Sequence, residues 1–132
     1  MDPSLLKDRA KQLLDVLFVD AQKMSYDTAI VLISEALYLY LCSLLSELDI
    51  NNPWSYNFQQ IFKVLSEKIM DKKFHKIVDE NLDKVRLLDK VRFENMQLIR
   101  VNNKILYEIY NFSRLVIDYL SSYKNLEYVL EN

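Results

Sequence analysis

Glycine is absent from the 132 residues, proline occurs twice, and cysteine, histidine and tryptophan occur once each. Without glycine the chain lacks the residue that most readily supplies positive φ and close backbone approach. Tight hairpins and phosphate-cradling loops are therefore disfavoured, and P-loop and dinucleotide-fold sites are excluded. Proline stands only at Pro3 and Pro53, so long uninterrupted helices are permitted elsewhere. The lone cysteine, Cys42, cannot form an internal disulfide, which fits a reducing compartment, and its place in an apolar run reads as a small buried hydrophobe. The lone histidine, His75, lies among Asp71, Lys73, Lys76 and Asp79, too few ligands for a zinc site. No metal and no cofactor is expected. The start, MDPSLLKDRAK, lacks the basic head and apolar run of a signal peptide, so a cytoplasmic protein is expected. A net charge of -2 means that any RNA contact must be local.

What is present is apolar and helical. Hydrophobic residues make up 51% and charged residues 27%, the balance of a folded protein rather than a disordered one. The length suits one domain over residues 1–132. Tyr26 to Ile50 is apolar on almost every side. Ile30, Ile33, Leu37, Leu41, Leu44 and Leu48 form one stripe at helical spacing, while Val31, Leu32, Tyr38, Leu39 and Leu45 cover the rest of the circumference. Such a helix must be buried by several neighbours, by a partner subunit or by lipid. Glu35, the one charge between Thr28 and Leu45, would cost roughly 2.5 to 3.5 kcal/mol at a bilayer centre. Asp27 and Glu47 stand at the flanks where Lys or Arg anchors would be expected, so a central core helix is expected and no membrane. Glu35 itself is expected to be a buried carboxylate paired with an Arg or Tyr.

Along the chain, Asp2 and Pro3 open a first helix with a stripe at Leu6, Ala10, Leu13, Leu17, Ala21 and Met24. A short joint with Asp27 as cap leads to the second helix, so the two form an antiparallel hairpin. The run Asp49, Asn51, Asn52, Pro53 breaks that helix. Ser55 or Asn57 can cap a third carrying Phe58, Ile61, Phe62, Leu65 and Ile69, and Trp54 just before it reads as a lid on the core. Phe74, Ile77, Val78, Val85 and Leu88 suggest a fourth helix. Ile105, Ile109, Phe112, Val116, Tyr119 and Leu120 mark a fifth, with the break between Asn95 and Asn103. An all-α, up-and-down bundle of four to five helices follows. The nine tyrosines suit an interface, and the second or fifth helix is expected to form a two-fold dimer contact.

With these elements placed, the chain resembles the HEPN domain family. The resemblance rests on Tyr26-Asp27-Thr28-Ala29-Ile30, on Ser34-Glu35-Ala36-Leu37-Tyr38-Leu39-Tyr40-Leu41, and on Asn52-Pro53 followed by Phe58 to Leu65. It covers Leu5 to Lys68, with weaker agreement to about Leu120. It implies a homodimeric helical bundle in a class of proteins that bind nucleotides or RNA. Some members are metal-independent ribonucleases, often working beside a minimal nucleotidyltransferase. Catalytic members carry an arginine followed four to six positions later by a histidine, late in the chain.

That pair is missing. Two degenerate versions can be drawn, Arg92 with Gln97, and Arg100 with Tyr107 beside Asn103 and Lys104. On a regular helix residues seven apart share a face, whereas residues five apart point about 140° apart, so the second version is geometrically better. Metal-free RNA cleavage needs a group that exchanges protons near neutral pH; glutamine cannot, and tyrosine would need its pKa lowered far below about 10. The expected function is thus a non-catalytic or degenerate homodimeric domain binding RNA, nucleotide or a partner nucleotidyltransferase through Arg100, Asn103, Lys104, Tyr107, Arg92 and Gln97. The competing readings are a toxin-type ribonuclease of a toxin–antitoxin pair, and a structural subunit of a larger assembly.

Overall fold

The computed structural model of the chain describes residues 2–20, 23–94 and 100–123. Six α-helices run through the described residues: α1 (Pro3–Asp20), α2 (Tyr26–Glu47), α3 (Phe58–Lys68), α4 (Lys72–Glu80), α5 (Leu82–Phe93) and α6 (Asn103–Ser122), with a 3-10 turn at Pro53–Ser55 between α2 and α3. The all-α bundle is as the periodicity predicts, with one helix more. The expected fourth helix is divided at Asn81. Its side-chain N–H donates back to the Ile77 carbonyl at 2.7 Å, while its own carbonyl accepts from Lys84 and Val85 to start the next helix. A short polar side chain that competes for backbone partners breaks a helix in this way.

Helix α2 is the axis. It packs most extensively along α1 and also touches α3, α5, α6 and the 3-10 turn. Thirteen of its 22 residues are buried, so the apolar circumference is covered by the chain itself. By length and composition α2 could cross a membrane, yet 72% of its most apolar window lies inside the bundle, where a lipid-facing helix would show that surface. Little apolar surface of α2 is left over for a partner. From α1, Ala10, Leu14 and Leu17 fill the core; from α6, Leu106, Ile109, Phe112, Val116, Ile117 and Leu120 do so. The α2 cap is Ser25, whose hydroxyl accepts from the N–H of Thr28 at 3.1 Å, rather than Asp27. A serine hydroxyl reaches this donor from the extended backbone that precedes a helix.

The turns solve the absence of glycine with asparagine and aspartate. Asp49 and Asn52 adopt positive φ, 62° and 52°, a region their short polar side chains tolerate better than other non-glycine residues do. Tyr38 then pins the loop to α2. Its hydroxyl donates to the carbonyls of Tyr56 at 2.6 Å and Trp54 at 3.1 Å, and its ring meets Trp54, Phe58 and Phe93 with centroids 5.4 to 5.8 Å apart. Trp54, half exposed, closes this cluster as the expected lid.

The start of α3 leaves no donor orphaned. Asn57 and Gln60 form a reciprocal capping box, and the buried Asp89 of α5 accepts from the N–H groups of Phe58 at 2.6 Å and Gln59 at 3.2 Å. All four N-terminal donors of α3 are thereby satisfied, two of them by a side chain from another helix. Burial pushes the Asp89 carboxyl above its ordinary pKa, opposed by those same backbone donors.

Two outcomes follow for stability. Asp89→Ala strands one buried and one part-buried N–H group and should lower unfolding free energy by about 2 kcal/mol in urea titration, with Asp89→Asn, which keeps one acceptor without a buried charge, costing less. Cys42 is fully buried against the Pro53 carbonyl, and burial pushes its thiol up to about 12. The folded chain therefore keeps a proton that the unfolded chain releases from about pH 8.5, so this contribution is intact below that pH and is lost as pH rises towards 12. An aromatic disulfide reagent at pH 8 should label Cys42 only at the rate of unfolding; rapid labelling of native protein would contradict this.

Candidate functional site

The polar residues that looked available for chemistry divide into two groups. One group is committed to holding helices together. His75 places Nε2 at 2.8 Å from the Ser66 carbonyl and 2.9 Å from that of Ile69, so that nitrogen carries the proton and donates to the last turn of α3. Its neighbour Asp71 caps α4 through the N–H of Lys73 and accepts from the hydroxyl of Tyr119 on α6. Neither is arranged around a cation, and among the described residues no three of His, Cys, Asp and Glu form a metal-sized group.

Arg92 also belongs to this structural group. Its guanidinium lies over the ring of Tyr38, 3.9 Å from the centroid, and 5.6 Å from that of Phe93, and it pairs with Glu35 of α2. Burial lowers its pKa from the ordinary value, and Nε is buried without a hydrogen-bond partner among the described residues. Arg92 is therefore a bolt between the end of α5 and the middle of α2, not a free cation. Glu35 has the arginine partner that its position predicted, but it is not buried: its side chain is 51% exposed. The α2 circumference has one opening here, and a half-hydrated carboxylate there avoids the cost of full desolvation. Gln97 lies outside the described residues.

The second group gathers at the start of α6. Arg100, Asn103, Lys104 and Tyr107 are all exposed. The helix begins only at Asn103, with Asn102 as cap accepting from the N–H of Ile105 at 2.8 Å. Arg100 thus precedes the helix, and the expectation that it shares a helical face with Tyr107 does not hold; the cap at Asn102, in extended backbone, places Arg100 on the approach instead. Asn103 and Tyr107, one turn apart, do share a face.

That face borders a cleft of about 440 Å³ between the end of α1, the start of α2 and the start of α6, lined by Leu17, Phe18, Tyr26, Ile33, Asn103, Leu106, Tyr107 and Tyr110. Leu17, Ile33 and Leu106 are buried and form its floor, while Phe18, Tyr26 and Tyr107 stand exposed around it. The ring of Phe18 meets that of Tyr110 at 5.9 Å, and the Tyr110 hydroxyl donates to the Leu14 carbonyl. Beside them Arg114 of α6 pairs with Asp15 of α1, a contact that holds the guanidinium above its ordinary pKa. Phe18, Tyr26 and Tyr110 were not foreseen as site residues. In sequence an aromatic at a helix end reads the same whether it fills a core or rims a cleft.

Fold and cleft together describe a small all-helical domain built on a central hairpin, with a group of exposed polar and aromatic residues around the start of the last helix. A profile of the HEPN domain family matches residues 4–123, nearly the whole chain, and the protein belongs to that family. Comparison with curated proteins and with solved structures finds no match.

The Arg92 arrangement separates two contributions by size. A half-exposed ion pair contributes up to about 1 kcal/mol, whereas a desolvated guanidinium on an aromatic face contributes about 2 kcal/mol or more. Glu35→Gln should therefore destabilise less than Arg92→Ala. Arg92→Lys should recover little of the stability, because an ammonium lacks the flat surface that stacks on Tyr38. Equal destabilisation by Glu35→Gln and Arg92→Ala in chemical unfolding would make the ion pair the main contributor.

Proposed function

We propose that this HEPN domain is a non-catalytic binding module for RNA or nucleotide, engaging phosphate through Arg100 and Lys104 at the start of α6. One observation carries the reading. The chain has a single histidine, and its Nε2 is engaged by the Ser66 and Ile69 carbonyls at the end of α3. No imidazole then stands with Arg100 or Arg92 to move a proton in metal-free RNA cleavage, and tyrosine, with an ordinary pKa near 10, is a poor substitute.

Binding asks less of the residues. Arg100 and Lys104 are exposed, and the first turn of α6 carries no acidic side chain, so the positive end of the helix dipole adds to the two cations. A homodimer, common among HEPN domains, would draw on exposed apolar side chains such as Val16 of α1 and Leu115 of α6. A cytoplasmic setting suits the reduced Cys42.

The test is direct. Purified protein incubated with single-stranded RNA in chelator should leave the RNA intact while retaining it in a filter assay. The double variant Arg100→Ala, Lys104→Ala should weaken retention at all sequences and flatten the dependence of log K on log salt by about 1.4, roughly 0.7 for each single-strand phosphate that no longer meets a cation. Cleavage abolished by Arg100→Ala would establish a ribonuclease instead, and absence of any RNA or nucleotide binding would leave a structural helical subunit.

A further inference from the structure

We infer that the cleft between α1, α2 and α6 receives one unpaired nucleobase, with the phosphate of the same nucleotide at the start of α6. This rests on the RNA or nucleotide reading above and adds to it which part of the ligand is read and by what. The floor is apolar, from Leu17, Ile33 and Leu106. Around it stand three rings still open to solvent, Phe18 at 68% exposure, Tyr107 at 48% and Tyr26 at 42%. Exposed aromatic rings over an apolar floor suit a flat ring system, which gains from stacking on both faces.

Polarity makes the choice of a base over a plain hydrophobe. Asn103 is the one amide among the described lining residues, and an amide presents a donor and an acceptor side by side, matching the edge of a base. The same residue is the first of α6, with Lys104 next to it and Arg100 three positions earlier, both exposed. Asp15, one turn before Phe18 on α1, is paired with Arg114 and so is not a free anion facing the ligand. A purely apolar guest would draw nothing from the Asn103 amide or from the two cations.

A cleft of this kind discriminates by strandedness. In a duplex the base faces are covered by their neighbours and the Watson–Crick edges are paired, which leaves the phosphates, the 2′-hydroxyls and the groove edges but no face to stack on. Single strands, loops and free nucleotides present an open face and edge.

Fluorescence anisotropy with a labelled RNA of about ten nucleotides, single-stranded or annealed to its complement, tests this. The single strand should bind at least about tenfold more tightly than the duplex, and AMP or UMP in excess should displace it if a free nucleotide suffices; failure of both to compete assigns the cleft to bases within a strand. Phe18→Ala should weaken single-strand binding about tenfold or more while leaving duplex binding unchanged. Phe18→Leu, which keeps an apolar side chain at an exposed position, should weaken it equally, whereas Lys104→Ala should lower the salt slope and leave the single-strand preference intact. Equal affinity for both strand states, or no change on removing the Phe18 ring, overturns the cleft assignment while leaving phosphate binding standing. A change in sedimentation mass with Phe18→Ala and none in RNA affinity assigns the cleft to a second copy of the chain and likewise overturns it. Should no RNA bind, titration with adenosine and uridine, followed through ring signals of Tyr26 and Tyr107, separates the two readings: shifts there keep the cleft and discard the phosphate face, and their absence removes both.

Discussion

A helix that is apolar on all sides has to be covered on all sides, and this requirement organises the bundle. α2 carries 13 buried residues, and α1, α3, α5, α6 and the proline turn all pack against it. At roughly 25 cal/mol per Å² of apolar surface removed from water, no ion pair at the periphery competes with this contribution. The neighbours accordingly need only one apolar stripe each and can turn their other faces to solvent. Where coverage fails, around Glu35, the chain places a half-hydrated carboxylate and bolts it to Arg92 over the face of Tyr38.

The second constraint is the lack of glycine, and it explains why so many polar residues have structural duties. Positive φ falls to Asp49 and Asn52, the division between α4 and α5 to Asn81, and helix starts to Ser25, Asn57, Asp71 and Asn102. Asp89 closes the donors of α3 from another helix, and His75 takes carbonyls at its other end. A chain that must cap and turn with its polar side chains has fewer left for chemistry. Arg100, Asn103, Lys104 and Tyr107 remain exposed around the start of α6.

How far the sequence could be read follows from the range of each interaction. The helices α1, α2, α3 and α6 were legible because periodicity and capping act within three or four residues. The break at Asn81 was missed because asparagine sits inside many helices without ending them, and only the competition for the Ile77 carbonyl settles it. Arg92 and Arg100 looked alike as members of degenerate pairs. One is stacked on Tyr38 and the other is exposed, a difference set by contacts across 54 positions of chain between Tyr38 and Arg92.

The sequence by itself determined an all-helical chain, a central buried helix, a proline loop behind it and membership of a family whose pattern this order carries. These depend on local spacing and on the total apolar surface to be hidden, which any packing must respect. Only the tertiary structure decided that Glu35 is half exposed, that the single histidine serves α3, that Arg100 stands ahead of the last helix, and that Phe18, Tyr26 and Tyr107 from three helices rim one cleft with Asn103. Those outcomes depend on which side chains meet after the hairpin, α3 and α6 have closed on α2, and residue spacing along a single helix carries no information about that meeting.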